Sequence, residues 1–282
     1  MGGRHANEGT VAGVVDPGRP DRGEPARADP AALAALLAPL VADPARSAVC
    51  TDFDGTLAPI VDEAAAARPV AGVTEVLGEL AARYAVVAVL SGRPVSFIAP
   101  LVPPGVTVSG LYGLEAVVDG EVIDHPDAGH WRPVVADAAA AAERDAPAGV
   151  QVERKGLSLT LHYRAVPGSG DAVRDWAQRA ALESGLDLRL AKMSVELHPP
   201  IAADKGTALR ALIDDVAAVC FLGDDVGDLP AFATLAALAA EGVAVAGIAV
   251  AGPEAPPEVL AAADAVVDGP EGALEVLRLL AR

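Results

Sequence analysis

The chain has 282 residues and a formal net charge of −18 at pH 7, with 39 acidic and 21 basic side chains. This length allows one or two domains with a substantial hydrophobic core. The negative charge argues against non-specific binding to nucleic acid or to an anionic membrane surface, because both are themselves negatively charged. We therefore expect neither nucleic acid nor a membrane as a partner. In so acidic a chain, a site for an anionic ligand needs several of the few basic side chains close together.

The cysteines and histidines restrict the compartment and the metal chemistry. Cys50 and Cys220 each lie in an apolar run, which predicts buried, reduced thiols and a cytoplasmic protein. The five histidines have no zinc-site spacing. Residues 229–252 are apolar enough to be tested as a membrane helix, but Glu241 interrupts them. We expect a cytoplasmic monomer that does not bind membranes.

The first part of the chain alternates helices with apolar strands. Residues 1–29 are rich in Gly, Pro, Arg and Asp and lack apolar residues for a core, which predicts a disordered tail. The following pattern predicts, in order, a helix over 31–41, a strand that ends at Asp52, a helix over 73–83, and strands over 85–90 and 106–109. This alternation is typical of βαβ units around a parallel sheet.

The pattern changes after the third strand and later returns. A hairpin around Asp119-Gly120 comes first. Helices are then predicted over 134–143 and 172–183, with strands over 158–163, 186–190 and 194–197. The alternation resumes with a helix over 205–213, a strand over 217–222, a helix over 230–240 and a strand over 243–250. We expect an α/β fold with a Rossmann-like parallel-sheet core at 30–110 and 199–282, and an α+β domain inserted at 111–198.

An acidic motif follows the first strand. Alternation along an extended chain sends Asp52 and Asp54 to one side and Phe53 to the other. Two adjacent carboxylates at the carboxyl end of a parallel strand suit an aspartate nucleophile, a proton-transfer partner and a divalent metal. An Asp-Gly turn is one alternative. A calcium loop is another, but Leu57 stands at its sixth position, where such a loop needs glycine.

A second acidic motif follows the later strand at residues 223–228. Asp52, the main-chain carbonyl of Asp54, and Asp224 together supply the oxygen ligands that Mg²⁺ prefers. Asp225 and Asp228 would orient water or neighbouring groups around the metal. Capping of the next helix is the competing interpretation for Asp228.

Two further residues complete a pattern for binding phosphate. Ser91 ends a strand, so its hydroxyl and main-chain N–H are candidates for contacting a phosphate oxygen. Lys205 begins a helix, where its charge and the positive helix end meet. Either signal alone is weak. The order Asp-x-Asp, Ser, Lys and Gly-Asp-Asp, each at a strand end or helix start, carries the argument.

This order resembles the haloacid dehalogenase superfamily of phosphohydrolases over residues 46–282. The resemblance implies catalytic roles for Asp52 as nucleophile, Asp54 as general acid and base, and Ser91 and Lys205 as phosphate ligands. It also implies Mg²⁺ as the cofactor, with Asp224 as a ligand. The inserted domain resembles the cap that closes over the active site in this superfamily.

The cap resembles that of the trehalose-phosphatase family. The similar segments are residues 91–93, 110–115, 152–158, 162–164, and 192–197 leading to 204–206. The resemblance implies a sugar-phosphate substrate bound by Arg93, Glu115, Glu153, Lys155, Arg164, Lys192 and Glu196. Charged side chains of this kind hold sugar hydroxyls through charge-assisted hydrogen bonds.

The sequence departs from the family pattern at three places. Tyr112 stands where histidine is common, and His198 where arginine is common. The run Gly227-Asp228-Leu229 stands where Thr, Asp and Glu are usual, so a polar contact to Lys205 or to the phosphate loop is expected to be missing. We expect a trehalose 6-phosphate phosphatase. The alternatives are a phosphatase for another sugar phosphate, such as sucrose 6-phosphate or mannosyl-3-phosphoglycerate, a phosphomutase, and a non-catalytic sugar-phosphate-binding regulator.

Overall fold

The computed structural model describes residues 27–61, 63–118, 120–191, 193–253 and 255–282. The strands in chain order are β1 (Ser47–Thr51), β2 (Val86–Leu90), β3 (Thr107–Gly110), β4 (Glu115–Val118), β5 (Glu121–Asp124), β6 (Gln151–Arg154), β7 (Leu159–His162), β8 (Asp187–Ala191), β9 (Ser194–His198), β10 (Ala218–Gly223), β11 (Ala244–Ala251) and β12 (Ala265–Asp268). The helices are α1 (Pro30–Ala42), α2 (Val73–Ala81), α3 (Val95–Ile98), α4 (Trp131–Asp145), α5 (Gly170–Ser184), α6 (Lys205–Leu212), α7 (Leu229–Ala240), α8 (Pro257–Ala262) and α9 (Gly269–Leu280).

Eight strands form the larger sheet, in the spatial order β12-β11-β10-β1-β2-β3-β4-β5. The six strands from β12 to β3 are parallel, whereas β4 and β5 are antiparallel. Strand β1 is fully buried because helices cover both faces of the sheet. Val49 packs into a cluster with α1, α2, α3 and α9. Ala48 and Cys50 pack into another cluster with α6, α7 and α8. The predicted parallel α/β core is confirmed.

The smaller sheet has four antiparallel strands in the order β6-β7-β9-β8. Helices α4 and α5 cover one of its faces, where Leu159, Leu161, Val195 and Leu197 are buried. Side chains alternate along a strand, so Thr160 and Glu196 lie on the opposite face. This face carries polar residues and is called the polar cap face below. It is formed by Glu153, Ser158, Thr160, Arg189 and Glu196.

The structure extends and corrects the predictions at several places. Strands β6 and β12 and helices α3, α8 and α9 were not predicted. The hairpin assigned to the inserted domain hydrogen-bonds to the core sheet through β3, with Ser109 opposite Ala116. This pairing favours an insertion that begins after Asp124, although the predicted domain boundaries as a whole remain a proposal. Asp119 of the predicted turn lies outside the described residues.

The predicted tail is too long at its C-terminal end. Asp29 caps α1 by accepting hydrogen bonds from the N–H groups of Ala31 and Ala32. Arg27 pairs with Val266 of β12 and forms an ion pair with Asp268. Residues 1–26 lie outside the described part of the chain, so the rest of the tail prediction is not tested.

Within the described ranges, none of the helices combines the length and the apolar character that spanning a membrane requires.

Candidate active site

The carboxyl edge of the larger sheet brings the two acidic motifs together. Asp52 follows β1, and its main-chain N–H donates to the carbonyl oxygen of Leu222 in β10 at 2.8 Å. Because β1 and β10 are parallel neighbours, the residues that follow them meet at one edge. Carboxylate oxygens of Asp52, Asp224 and Asp228 lie within 4.8 Å of one another. We call these three residues the carboxylate cluster.

The turn after β1 is shaped to let Asp224 approach. Phe53 points into the core and is fully buried. Gly55 has a φ of 82°, a left-handed conformation that other residues adopt at a cost. A Cβ atom on Gly55 would lie 1.9 Å from Oδ2 of Asp224. The hydroxyl of Thr56 donates to Oδ1 of Asp224 at 3.3 Å. Gly55 is therefore required both by the turn and by the position of the Asp224 carboxylate.

Lys205 connects the two acidic motifs. It is 4 % exposed, and its Nζ donates to Oδ1 of Asp52 at 2.5 Å and to Oδ1 of Asp228 at 2.6 Å. Asp204 and Thr207 form a reciprocal capping box that fixes the start of α6. Burial alone would lower the pKa of Lys205, but the charges of Asp228 and Asp52 raise it well above its usual value. Lys205 is thus a fixed cation beside the candidate nucleophile.

Gly227 and Leu229 carry no polar side chain, so the expected loss of a contact at these positions remains a prediction. Asp228, which matches the family pattern, makes a polar contact with Lys205. It is fully buried, and its Oδ2 accepts hydrogen bonds from the main-chain N–H groups of Asp224 at 2.9 Å and Asp225 at 3.1 Å. The carboxylate makes no capping hydrogen bond to the start of α7, so the helix-capping interpretation is wrong. It pairs instead with Lys205 and shapes the loop that carries Asp224. Asp225 is exposed and caps the following 3₁₀ turn by accepting from the N–H of Gly227.

The charges of the carboxylate cluster fit a divalent cation. Burial, opposed by Lys205, raises the pKa of Asp52 well above its usual value, and Asp228, Asp224 and Asp54 add to the increase. Burial and the charges of Asp228 and Asp225 raise the pKa of Asp224 to about 7. Three carboxylates thus face a single lysine. Asp228 already accepts three hydrogen bonds, which leaves Asp52 and Asp224 as the side chains that suit a hard cation such as Mg²⁺.

Asp54 faces a cation of its own. Arg93 donates from Nε to Oδ2 of Asp54 at 2.5 Å and from Nη2 to Oδ1 at 2.7 Å. This bidentate pair leaves the main-chain carbonyl of Asp54 as its atom for a metal. The hydroxyl of Ser91 accepts from the N–H of Arg93 at 3.1 Å. The N–H of Ser91 donates to Ser109 within the sheet, so the expectation that it would hold phosphate is corrected and only the hydroxyl remains.

Glu115 has a structural contact. Its Oε1 accepts from the N–H of Val95 at 2.8 Å and ties β4 to the start of α3. The side chain also lines a cavity of about 440 Å³ beside Arg132, Arg154 and Lys155. Burial raises the pKa of Glu115, an effect that the Val95 hydrogen bond opposes. Its predicted contact with substrate remains a prediction.

The polar cap face holds two of the predicted sugar-binding carboxylates. Glu196 is 6 % exposed, and its Oε1 accepts from Ser158 at 2.6 Å and from Lys155 at 3.4 Å. Glu153 lies 2.9 Å from Nε2 of His162. This hydrogen bond lowers the pKa of Glu153, burial opposes the decrease, and Lys155, His162 and Arg93 lower it further. Glu153 and Glu196 are therefore held by neighbouring donors.

Arg189 lies on the polar cap face, and the sequence did not predict a role for it. Its Nη1 lies 3.6 Å from Oε2 of Glu196, and its guanidinium carbon lies 3.9 Å from the ring centroid of Tyr112. Tyr112 has a φ of 59° and is close to Gly92, where a Cβ atom would lie 2.7 Å from the ring. Arg189 thus joins the cap to the turn after β3, which in turn contacts the loop after β2. The polar positions 187 and 189, two apart around Leu188, are the sequence signal that would have marked Arg189.

Two of the residues predicted to bind the sugar have no described contact that supports the role. Arg164 is exposed just after β7, and Lys192 lies outside the described residues. Both assignments remain predictions.

Comparisons with known proteins identify the family of the chain. The sequence model of the family described as Trehalose-phosphatase matches residues 50–257. A "Trehalose-phosphate phosphatase" of Mycobacterium ulcerans (strain Agy99) is 37% identical over 216 residues, which cover 72% of this chain and 55% of the relative. The chain thus spans about half the length of the curated relatives it matches.

Solved structures have the same fold. The Trehalose-6-phosphate phosphatase C-terminal domain of C. albicans aligns with a TM-score of 0.67 and 23% identity, covering 91% of this chain and 98% of that one. A haloacid dehalogenase-like hydrolase from Bacteroides thetaiotaomicron aligns with a TM-score of 0.58 and 16% identity, covering 82% and 98%. At these identities the likeness concerns the fold alone. The family match over 50–257, however, contains both acidic motifs and the polar cap face, and the chain therefore belongs to the trehalose-phosphatase family.

Proposed function

We propose that the protein is a magnesium-dependent phosphatase that hydrolyses trehalose 6-phosphate to trehalose and inorganic phosphate. The observation that carries this proposal is the buried contact of 2.5 Å between Lys205 Nζ and Asp52 Oδ1. Carboxylate oxygens of Asp224 and Asp228, from the second acidic motif, lie within 4.8 Å of a carboxylate oxygen of Asp52. A cation beside a carboxylate at the carboxyl edge of a parallel sheet is the arrangement that phosphoryl transfer to an aspartate requires.

Asp52 is the proposed nucleophile. Lys205 binds its Oδ1 and so fixes the orientation of the carboxylate. A carboxylate oxygen attacks phosphorus, the bond from phosphorus to the sugar oxygen breaks, and an aspartyl-phosphate forms. Water then attacks phosphorus, the bond to Asp52 breaks, and phosphate leaves while the carboxylate is restored. Lys205 stabilises the charge on the transferring group throughout.

Asp54 is the proposed general acid and base. It gives a proton to the leaving sugar oxygen and later takes one from the attacking water. Both of its carboxylate oxygens are bound by Arg93 before substrate arrives. We propose that the substrate phosphate attracts Arg93 away from Asp54, because a dianion competes well for a guanidinium. Substrate entry would then free Asp54 for proton transfer and add Arg93 and the Ser91 hydroxyl as phosphate ligands.

Asp52, Asp224 and the main-chain carbonyl of Asp54 are the proposed Mg²⁺ ligands. A bound Mg²⁺ would offset negative charge on the transferring phosphoryl group. Asp228 holds the loop of Asp224 in place through its hydrogen bonds to two main-chain N–H groups. Asp225, whose side chain caps the next turn, supports the same loop.

The cap is proposed to bind the sugar through Glu153, Lys155, Arg164, Lys192 and Glu196. Closure of the cap would exclude bulk water and bring these residues over the phosphate site. The buried free thiols of Cys50 and Cys220 support a reducing compartment, and we propose a cytoplasmic monomer.

A phosphate-release assay over a panel of substrates tests the proposal. The panel contains trehalose 6-phosphate, sucrose 6-phosphate, mannosyl-3-phosphoglycerate and p-nitrophenyl phosphate, each with Mg²⁺ and with EDTA. We expect the highest kcat/KM with trehalose 6-phosphate and no release in EDTA. Preference for another sugar phosphate would contradict the substrate assignment. A phosphomutase would not release phosphate, and a regulator would bind without turnover.

A variant of the cap separates sugar binding from chemistry. Glu196→Gln should lower kcat/KM for trehalose 6-phosphate at least about tenfold, since a charge-assisted contact to sugar hydroxyls is lost. It should leave hydrolysis of p-nitrophenyl phosphate nearly unchanged, because that substrate has no sugar. Glu143→Gln is the matched control, because Glu143 is an exposed cap carboxylate paired with Arg154. Equal losses on both substrates would place Glu196 in folding or in the core site.

A further inference from the structure

One row of side chains crosses all four strands of the polar cap face. Strand pairing places Glu153 opposite Thr160, Thr160 opposite Glu196, and Glu196 opposite Arg189. Directly paired residues of antiparallel strands point to the same side of the sheet. The order of the row is therefore carboxylate, hydroxyl, carboxylate and guanidinium. Its two carboxylates are already assigned to the sugar.

Thr160 has an unusual position in this row. Its neighbours Leu159 and Leu161 are buried against the cap helices, so the threonine side chain faces the opposite way. Thr160 is 4 % exposed. Among the residues that the structure describes, its Oγ1 is the buried side-chain oxygen that has no hydrogen-bond partner. A buried hydroxyl without a partner is unfavourable for folding, because water can no longer satisfy it.

The flanking carboxylates bind other donors. Glu153 pairs with His162 at 2.9 Å. Glu196 accepts from Ser158 and Lys155 at one oxygen, and its other oxygen lies 3.6 Å from Arg189. The hydroxyl of Thr160 is thus left between two engaged carboxylates. A ligand group that can both donate and accept, such as a sugar hydroxyl, would complement it.

The row faces the phosphate site. Arg189 stacks on the ring of Tyr112, which lies against Gly92 in the loop after β2. The charge of Arg93, the partner of Asp54, acts on Glu153. A substrate whose phosphate reaches Asp52 would therefore extend its sugar along the row. Because Thr160 is covered, the side chains around it must move for the sugar to reach its hydroxyl.

We propose that the Thr160 hydroxyl is a specificity-determining contact that hydrogen-bonds a sugar hydroxyl of the substrate. The inference rests on the proposed sugar-phosphatase function. Threonine at this position serves the substrate rather than the fold, since valine has the same shape and would leave no hydroxyl unpaired.

Three variants test the contact. Thr160→Val should lower kcat/KM for trehalose 6-phosphate about three- to tenfold, the range for one neutral hydrogen bond. It should leave hydrolysis of p-nitrophenyl phosphate unchanged, and its midpoint of urea unfolding should equal or exceed that of the wild type. Thr160→Ser should recover most of the activity on the sugar substrate. Thr74→Val, on α2 of the core, is the matched control and should behave like the wild type on both substrates.

The outcomes separate this inference from the proposed function. If the wild type hydrolyses trehalose 6-phosphate and Thr160→Val has the same kcat/KM, the contact is overturned and the function stands. If Thr160→Val unfolds at lower urea and both substrates lose activity equally, the role is structural and the inference is again overturned. If the wild type prefers another sugar phosphate, the substrate assignment fails and the same comparison with that sugar decides on Thr160. A wild type without any preference for sugar phosphates overturns both.

Discussion

Removal of the Asp228 carboxylate should destabilise the protein more than removal of any other carboxylate in the same loop. Asp228 is fully buried and pairs with Lys205 at 2.6 Å. Asp228→Ala leaves Lys205, itself 4 % exposed, with Asp52 as its described carboxylate partner. It also leaves the N–H groups of Asp224 and Asp225 without their acceptor.

The magnitude follows from these contacts. Breaking a buried ion pair by removing one partner costs about 3–5 kcal/mol. The two N–H groups are only partly buried and can bind water, and removal of one charge relieves repulsion within the carboxylate cluster. We therefore expect a loss of about 3 kcal/mol in the free energy of unfolding for Asp228→Ala.

Urea unfolding in EDTA measures this loss without interference from a bound metal. Asp225→Ala is the matched control, because Asp225 is exposed and caps the following turn, accepting from the N–H of Gly227 at 2.7 Å. The loss of such a cap should cost about 1 kcal/mol. If Asp228→Ala loses no more stability than Asp225→Ala, Asp228 does not hold Lys205 and the loop together as argued.

Three further predictions concern the metal site and the cap. Gly55→Ala should weaken Mg²⁺ binding at least about tenfold, because the new Cβ atom displaces Asp224. Gly120→Ala is the control and should not weaken it, because Gly120 has a similar φ of 83° but open space around it. The affinity is measured as the Mg²⁺ dependence of phosphate release, and an equal dependence in the two variants would contradict the prediction. In metal-free protein the pKa of Asp224 is raised from 3.8 to about 7, so its folded form binds more protons, and stability should fall as the pH rises from about 4 to 7. Mg²⁺ should reverse that fall, so the Mg²⁺-induced increase in Tm should grow with pH, and a pH-independent increase would refute the assignment. Arg189→Ala should raise KM for trehalose 6-phosphate several-fold, because both the support of Glu196 and the stacking on Tyr112 are lost; unchanged KM would show that neither contact matters for the sugar.

The local patterns of the sequence predicted the core of the fold and the place of its acidic motifs. Apolar strands such as Ala218–Gly223 that alternate with helices predict a parallel sheet. The residues that follow these strands then lie together at the carboxyl edge of the sheet. Strand Gln151–Arg154 was missed because its residues are mostly polar, and it is held by pairing with Leu159–His162 rather than by its own pattern.

Contacts between elements that are far apart in the chain could not be predicted from the sequence. The hairpin Glu115–Asp124 has the same local pattern whether it pairs with the core or with the cap, and its pairing with β3 decides the matter. The contact of Asp228 with Lys205 joins residues 23 positions apart. Whether the Thr160 hydroxyl has a hydrogen-bond partner depends on which donors Glu153 and Glu196 bind. Such facts follow from packing and not from residue type.

The central claim is that Asp52 carries the phosphoryl group of a sugar phosphate. Substrate labelled with ³²P is mixed with excess protein and Mg²⁺, quenched in acid within milliseconds, and the label bound to denatured protein is counted. We expect transient label on the wild type that appears before inorganic phosphate and no label on Asp52→Asn, although that variant should fold normally. Phosphate release by the wild type with no label on the protein, or label retained by Asp52→Asn, would contradict the account.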